Sequence, residues 1–144
     1  MLMRNNMRVL GIDFGDSKIG IAVSDPFGWI AQGVETIRWK GDINKPIERI
    51  KDIIKAYGAQ KCIVGFPLNM NGTIGPRGEK TLEFINQLTD KTGIEVIKWD
   101  ERLTTKAANM VMHEMGMKTS KKKRVEDQIA AVYILQGYLD SIKQ

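Results

Sequence analysis

One run, Val9-Leu10-Gly11-Ile12-Asp13-Phe14-Gly15-Asp16-Ser17-Lys18-Ile19-Gly20-Ile21-Ala22-Val23-Ser24, constrains the fold more than any other part of the chain. Two short apolar stretches, Val9 to Ile12 and Ile19 to Val23, flank a polar segment that holds Gly15, Asp16 and Ser17. That spacing reads as a tight β-hairpin with strands over 8–14 and 18–24. Asp13 closes the first strand just ahead of the turn. If that strand is central in a sheet, its carboxylate is fixed at the sheet's lip. Gly11 and Gly15 carry no side chain and would admit a phosphate or a metal close to the backbone. A fixed carboxylate beside glycine suits holding a divalent metal, or holding nucleotide phosphates through one. The plainer alternative is a surface Asp that starts a turn, and the rest of the chain has to decide.

Downstream, Asp25-Pro26-Phe27-Gly28 is a second turn signal. Val34 to Trp39 alternates imperfectly and reads as a third strand, completing an antiparallel meander. Pro46 then opens a helix with Asn44 as its cap. Ile47, Ile50, Ile53, Ile54 and Tyr57 follow at helical spacing, and Gly58 ends it. Lys61 to Phe66 is a short apolar strand of the kind buried on both faces. The glycine-rich segment from Gly65 to Pro76 follows its carboxyl end, where open α/β sheets bind ligands. A helix over 78–92, closed by Gly93, leads to a fifth strand from Ile94 to Trp99. Thr104 or Thr105 can cap a helix running to about Met115. A basic loop from Gly116 to Arg124 precedes a last helix from about Val125 to Ile142, apolar almost all round and therefore packed under something. The order βββαβαβαα predicts an α/β fold: a five-stranded mixed sheet, three antiparallel strands then two parallel ones, with helices on both faces.

Length and charge narrow the function classes. The 144 residues fit one domain spanning 1–144, and such a chain buries roughly 68–70% of its unfolded surface. The formal charge of +5 favours an anionic partner such as nucleic acid. Cys62 is the single cysteine, which excludes an intrachain disulfide and a cysteine zinc cluster. Inside Cys62-Ile63-Val64 it reads as an inert core thiol. No run approaches the ~18 apolar residues of a membrane span. Met1 to Met7 has no apolar region behind Arg4, so it is no secretory signal, and a cytoplasmic location is the expectation.

In this layout carboxylates distant in sequence can converge. Asp13 ends a central strand, Asp100 and Glu101 end the last strand, and Asp127 lies in the first turn of the final helix, where the helix dipole favours its ionised form. Each has a plainer role open to it: Asp100 as a local hydrogen-bond acceptor, Glu101 as a partner for Arg102, Asp127 as an ordinary first-turn acid. Glu101 is favoured over Asp100 as a ligand. Carboxylates fixed at one lip are what Mg²⁺ or Mn²⁺ requires, and two such ions ~4 Å apart would serve phosphodiester cleavage. His113 lacks a second His four positions on and makes no zinc motif. The densest charge run, Lys118 with Lys121, Lys122, Lys123 and Arg124, leads straight into Asp127 and suits a flexible clamp on phosphates flanking a scissile bond. Arg77 and Arg102 can add phosphate contacts. Trp29 and Trp39 can stack on bases, whereas Trp99 reads as core.

Four blocks together resemble the YqgF family, also called RuvX, of RNase H-like nucleases. They are Gly11-Ile12-Asp13-Phe14-Gly15 through Gly20-Ile21-Ala22-Val23-Ser24-Asp25; Val64-Gly65-Phe66-Pro67-Leu68-Asn69-Met70-Asn71-Gly72; Asp100-Glu101-Arg102-Leu103-Thr104-Thr105; and Asp127 with Ala130-Ala131 and Ile134-Leu135. The resemblance implies an RNase H-like fold and a cytoplasmic nuclease. The implied role is processing the 5′ end of precursor 16S rRNA in ribosome biogenesis; an older proposal is Holliday-junction resolution, by likeness to RuvC resolvases. Asp13, Glu101 and Asp127 match the family's acidic residues. Lys18 stands where the family often has Arg, which keeps a cation for nucleic acid but loses the planar fork. Glu126 stands where an apolar residue is common. The implied partner is structured RNA, with branched DNA as the alternative, and the chain acts as a monomer or homodimer. Two rivals share features with this reading. Sugar kinases and actin-like ATPases use the same hairpin but need a second lobe that 144 residues do not supply. A non-catalytic nucleic-acid or ribosome-binding module would keep the fold without the chemistry.

Overall fold

The computed structural model describes the backbone of residues 8–100 and 119–142, and the side chains of 8–100 and 128–142. The hairpin forms as expected: β1 (Val9–Phe14) pairs antiparallel with β2 (Lys18–Ser24), Asp13 opposite Gly20. Its turn is held from outside, because the Trp39 backbone N–H donates to the Ser17 carbonyl at 3.0 Å and the Trp39 indole N–H to the Gly15 carbonyl at 2.9 Å.

β3 (Ala31–Arg38) starts three residues earlier than the alternation predicts. The reason is a bulge: Ile21 faces Glu35 while Ala22 faces Gly33, leaving Val34 as an extra residue. One inserted residue breaks the period of two on which strand patterning depends. α1 (Asn44–Tyr57) ends at Gly58 with φ 64° as read from the sequence, but Asn44 is not its cap. The Asp42 carboxylate instead accepts the Asn44 N–H at 2.9 Å. β4 (Lys61–Phe66) has its expected bounds. α2 (Pro76–Thr92) begins two residues early because Pro76 serves as its first helical residue, where a missing N–H costs nothing. β5 spans Glu95–Asp100.

The last helix, α3 (Thr119–Ser141), begins six residues before the expected start. Lys121, Lys122, Lys123 and Arg124 therefore belong to a helix and not to a flexible loop. Lysine and arginine are good helix formers, and no Gly or Pro interrupts the run after Gly116. The charge density suggests a loop, but helix propensity outweighs it. The helix expected over 104–115, with His113, lies outside the described residues.

Strand order is β3-β2-β1-β4-β5, with β1, β4 and β5 parallel. This central sheet separates two apolar layers. Leu10, Ile12, Ile19, Ile21 and Val64 pack with Ile47 and Ile50 of α1 and Phe84 and Leu88 of α2 on one face. Val9, Ala22 and Ile63 pack with Ala131, Ile134, Leu135 and Leu139 of α3 on the other. The α3 stripe recurs every three to four residues, so its described part is buried along one side, with Val132 and Tyr133 half-buried. Among the described residues no helix is long and apolar enough to cross a membrane.

Candidate active site

β1, β4 and β5 run parallel, so all three end at one edge of the sheet. Ile12 is level with Val64 and Val64 with Lys98, which puts Asp13 level with Gly65 and Trp99, one step short of Asp100. Lys18, the first residue of β2, and Arg77, exposed in the first turn of α2, lie at the same edge. So does the segment after β4, which is tied by its own hydrogen bonds. The Asn69 N–H donates to the Thr73 carbonyl at 2.8 Å, and Leu68 bridges to Ile74.

Pleating decides which face each group takes. Leu10 and Ile12 enter the layer under α1 and α2, whereas Val9 enters the layer under α3. Gly11 lies against α3 so closely that an added Cβ would come within 2.6 Å of the Leu135 Cβ and 2.8 Å of the Ala131 carbonyl oxygen. Asp13, two residues on and half-buried, therefore takes the α3 face. α3 runs antiparallel to β1, with Leu139 beside Val9 and Ala131 beside Gly11. One turn further back is position 127. Gln128 spans the rows around that level: its amide donates to the Thr36 hydroxyl at 3.4 Å, in the row of Gly20 and Asp13, and its side chain lies against Gly33, in the row of Ala22 and Gly11. Backbone positions 13 and 127 thus lie at about one height on the same side of the sheet.

Asp100 does not join them. Lys98 sits over the Phe66 ring at 5.4 Å, in the layer under α1 and α2, and Asp100 follows Lys98 on that face, exposed. It shares the edge with Asp13 but not the face. Glu101 and Arg102 lie outside the described residues, as do the side chains of Lys121, Lys122, Lys123, Arg124, Glu126 and Asp127. Among the described residues no three acidic, histidine or cysteine side chains gather as a metal set. Asp13 is nevertheless a donor of the right kind: a carboxylate oxygen on a rigid strand end suits a hard cation.

A family model described as RuvX, Holliday junction resolvase, matches residues 7–141. The chain belongs to the RuvX family. An Acetivibrio thermocellus protein named "Putative pre-16S rRNA nuclease" is 66% identical to this RuvX-family chain over 136 residues, covering 94% of it and 96% of the relative. A Ruminiclostridium cellulolyticum protein of the same name is 54% identical over 136 residues, with the same coverage of 94% and 96%. Among solved structures, T. thermophilus RuvC in complex with a Holliday junction substrate matches with a TM-score of 0.58 at 15% identity, covering 95% of this chain and 96% of that one. The yeast mitochondrial Holliday junction resolvase Ydc2 matches with a TM-score of 0.55 at 10% identity, covering 96% and 80%. At such identities the likeness is one of fold.

Three expectations about the site change. Gly11 makes room for α3, not for a phosphate or metal. Gly15 is filled by its own turn, where a Cβ would meet the Lys18 carbonyl oxygen at 2.8 Å. The tryptophans divide as well. Trp29 lies with Val9, Lys61 and Tyr138 at the amino edge of β1, away from Asp13. Trp99 packs on Tyr138 and Gly137 as a core residue. Only Trp39 stays at the carboxyl edge, and its clamp on the hairpin turn had no sequence signal beyond an aromatic residue at a strand end.

Proposed function

We propose that this chain is a metal-dependent nuclease that hydrolyses phosphodiester bonds, with the 5′ end of precursor 16S rRNA as its substrate. What supports the reading is the placement of backbone positions 13 and 127 at about one height, on the α3 side of the sheet's carboxyl edge. Membership of the RuvX family and the names of the relatives support it. The nuclease works in the cytoplasm, where precursor rRNA is found.

Asp13, Glu101 and Asp127 would hold Mg²⁺ or Mn²⁺. Pleating supports Glu101 over Asp100, because Asp100 takes the face opposite Asp13. The bound ions would supply an activated water and neutralise charge on the leaving oxygen. The chain's own residues do the rest. Asp13 stays in place because its strand is paired on both sides. Lys18 and Arg77 approach flanking phosphates from the two sides of the strand end, and Arg102, Lys121, Lys122, Lys123 and Arg124 would add positive charge for the substrate backbone. Four consecutive helical positions spread around the axis, so 121 to 124 do not share one face, and only part of that run reaches one substrate strand.

The test is cleavage of precursor 16S rRNA and of four-way DNA junctions by purified protein, with Mg²⁺ or Mn²⁺ and with EDTA, beside Asp13→Asn. The expected result is rRNA cleavage that EDTA abolishes and that Asp13→Asn lowers by about a hundredfold or more, with RNA binding retained. Retained cleavage by Asp13→Asn sinks the site. A junction cut in preference to rRNA would favour the resolvase reading, which the description of the family model also supports. Binding without cleavage of either would favour the non-catalytic module.

A further inference from the structure

Two concavities lie side by side around Trp39 at the carboxyl edge. The first, about 500 Å³, is lined by Phe14, Trp39, Ile43 and Phe84, together with Asp16, Lys80 and Glu83. The second, about 400 Å³, is lined by Arg38, Trp39, Lys40, Asp42 and Lys45. Trp39 is the wall they share. Its indole is pinned to the Gly15 carbonyl at 2.9 Å, and Phe14 lies 5.9 Å from it and stacks on Phe84 at 4.4 Å. Binding against rings already fixed costs little side-chain entropy.

The two hollows differ in chemistry. One joins aromatic rings to charged side chains. The other sets three cations against one carboxylate, and that carboxylate, Asp42, already accepts the Asn44 N–H. No ion pair among the described residues engages Arg38, Lys40 or Lys45. A planar aromatic ligand part next to an anionic one is the pattern of a nucleotide. A paired base has its faces covered by its neighbours in the stack, so the rings can take only an unpaired one.

We propose that this groove is a second nucleic-acid subsite. It takes one unpaired nucleotide of single-stranded RNA, the base against Phe14 and Trp39 and the phosphate on Arg38, Lys40 and Lys45. The inference rests on the nuclease reading for its place in the reaction. Asp13 and Phe14 are consecutive and take opposite faces of β1, so a strand bent over the sheet edge meets both sites. The groove thereby selects substrates with a single-stranded segment beside the bond that is cut.

The experiment is fluorescence anisotropy of the full chain, in EDTA, with a short labelled single-stranded RNA and with the same strand in a blunt duplex. Trp39→Ala and Lys40→Ala are each expected to weaken the single strand about tenfold and to leave the duplex unchanged. Trp39→Ala also removes the clamp on the hairpin turn. Exposed Lys40 and Arg38 do not hold the fold, so Lys40→Ala and Arg38→Ala decide the matter if Trp39→Ala unfolds. Unchanged affinity in both cationic variants, or equal losses for single strand and duplex, overturns the subsite. A wild-type chain that binds the single strand through these residues yet cleaves nothing overturns the nuclease reading and leaves the subsite standing.

Discussion

Cys62, the second residue of β4, has no exposed surface, and burial pushes its thiol from the ordinary 9.0 up to about 12. The thiolate is the reactive form, so the native chain should resist alkylation near neutral pH and react at the ordinary rate once unfolded in urea. Mass spectrometry of iodoacetamide-treated protein, with and without urea, checks this. The same shift bears on stability. Above about pH 9 the unfolded thiol ionises while the folded one stays protonated, so stability falls as pH rises towards 12, by at most about 1.4 kcal/mol per pH unit from this group. Cys62→Ala should have a flatter profile than wild type over that window in urea titrations. Glu35 behaves in the opposite sense. Hydrogen bonds from Arg49, at 2.6 and 2.9 Å, hold its carboxyl below the usual 4.5 against a smaller opposing effect of burial. Stability from this pair is present above the ordinary glutamate range and is lost as pH falls through the lowered value. Glu35→Gln should therefore be less stable than wild type near neutral pH, the gap closing in acid; urea midpoints at the two pH values measure it. The pair is exposed to solvent, and its effect is small.

At the scale of elements, the contact between β1 and α3 sets the height of backbone position 127 against position 13. Gly11→Ala would put a Cβ 2.6 Å from the Leu135 Cβ and 2.8 Å from the Ala131 carbonyl oxygen, both parts of the helix that cannot swing aside. The helix must lift, at a cost of about 1–3 kcal/mol, and nuclease activity should fall further than stability does. Gly33→Ala is the control. Its closest contact, at 2.6 Å, would be the Gln128 side-chain oxygen, the end of a flexible chain that can turn away, and the Gln128 Cβ at 3.3 Å need give by only a few tenths of an ångström, so thermal melting should fall less than in Gly11→Ala. These contacts also mark the limit of what is legible in the sequence. Strands β1, β2 and β4 announce themselves through apolar runs with sharp glycine and polar boundaries, and the order of elements follows from them. The start of β3 does not, because a bulge erases the alternation at Val34. The start of α3 is hidden behind a lysine run whose charge suggests a loop and whose propensity suggests a helix. Gly11 is legible as a close approach, but not what approaches: that depends on a helix more than a hundred residues away in the chain. Asp13 can be picked out as a strand-end acid, whereas the exclusion of Asp100 needs the face each strand residue takes.

For the whole molecule, the two edges of the sheet are built differently. The carboxyl edge gathers Asp13, Lys18, Arg77 and the groove around Trp39. The amino edge exposes Phe27, Trp29 and Ile30 between β2 and β3, with Ile142 beyond the end of α3. A nucleic acid attracted by the net charge of +5 should engage the first edge and ignore the second. Trp29→Ala should then leave RNA affinity and cleavage unchanged, though it removes a more exposed indole than Trp39→Ala does. Salt separates the contributions more finely. Each phosphate contact to a single strand adds about 0.7 to the slope of log affinity against log salt. Replacing Lys121, Lys122 and Lys123 together by Ala should lower the slope by no more than about 2. It should fall short of that limit because consecutive helical positions point in different directions and cannot all touch one backbone. A loop would let all three follow the strand and lose the full amount. Anisotropy titrations of wild type and the triple variant across a salt series measure the difference. An undiminished slope would remove the start of α3 from the binding surface and leave Lys18, Arg77 and the cations around Trp39 to carry the attraction.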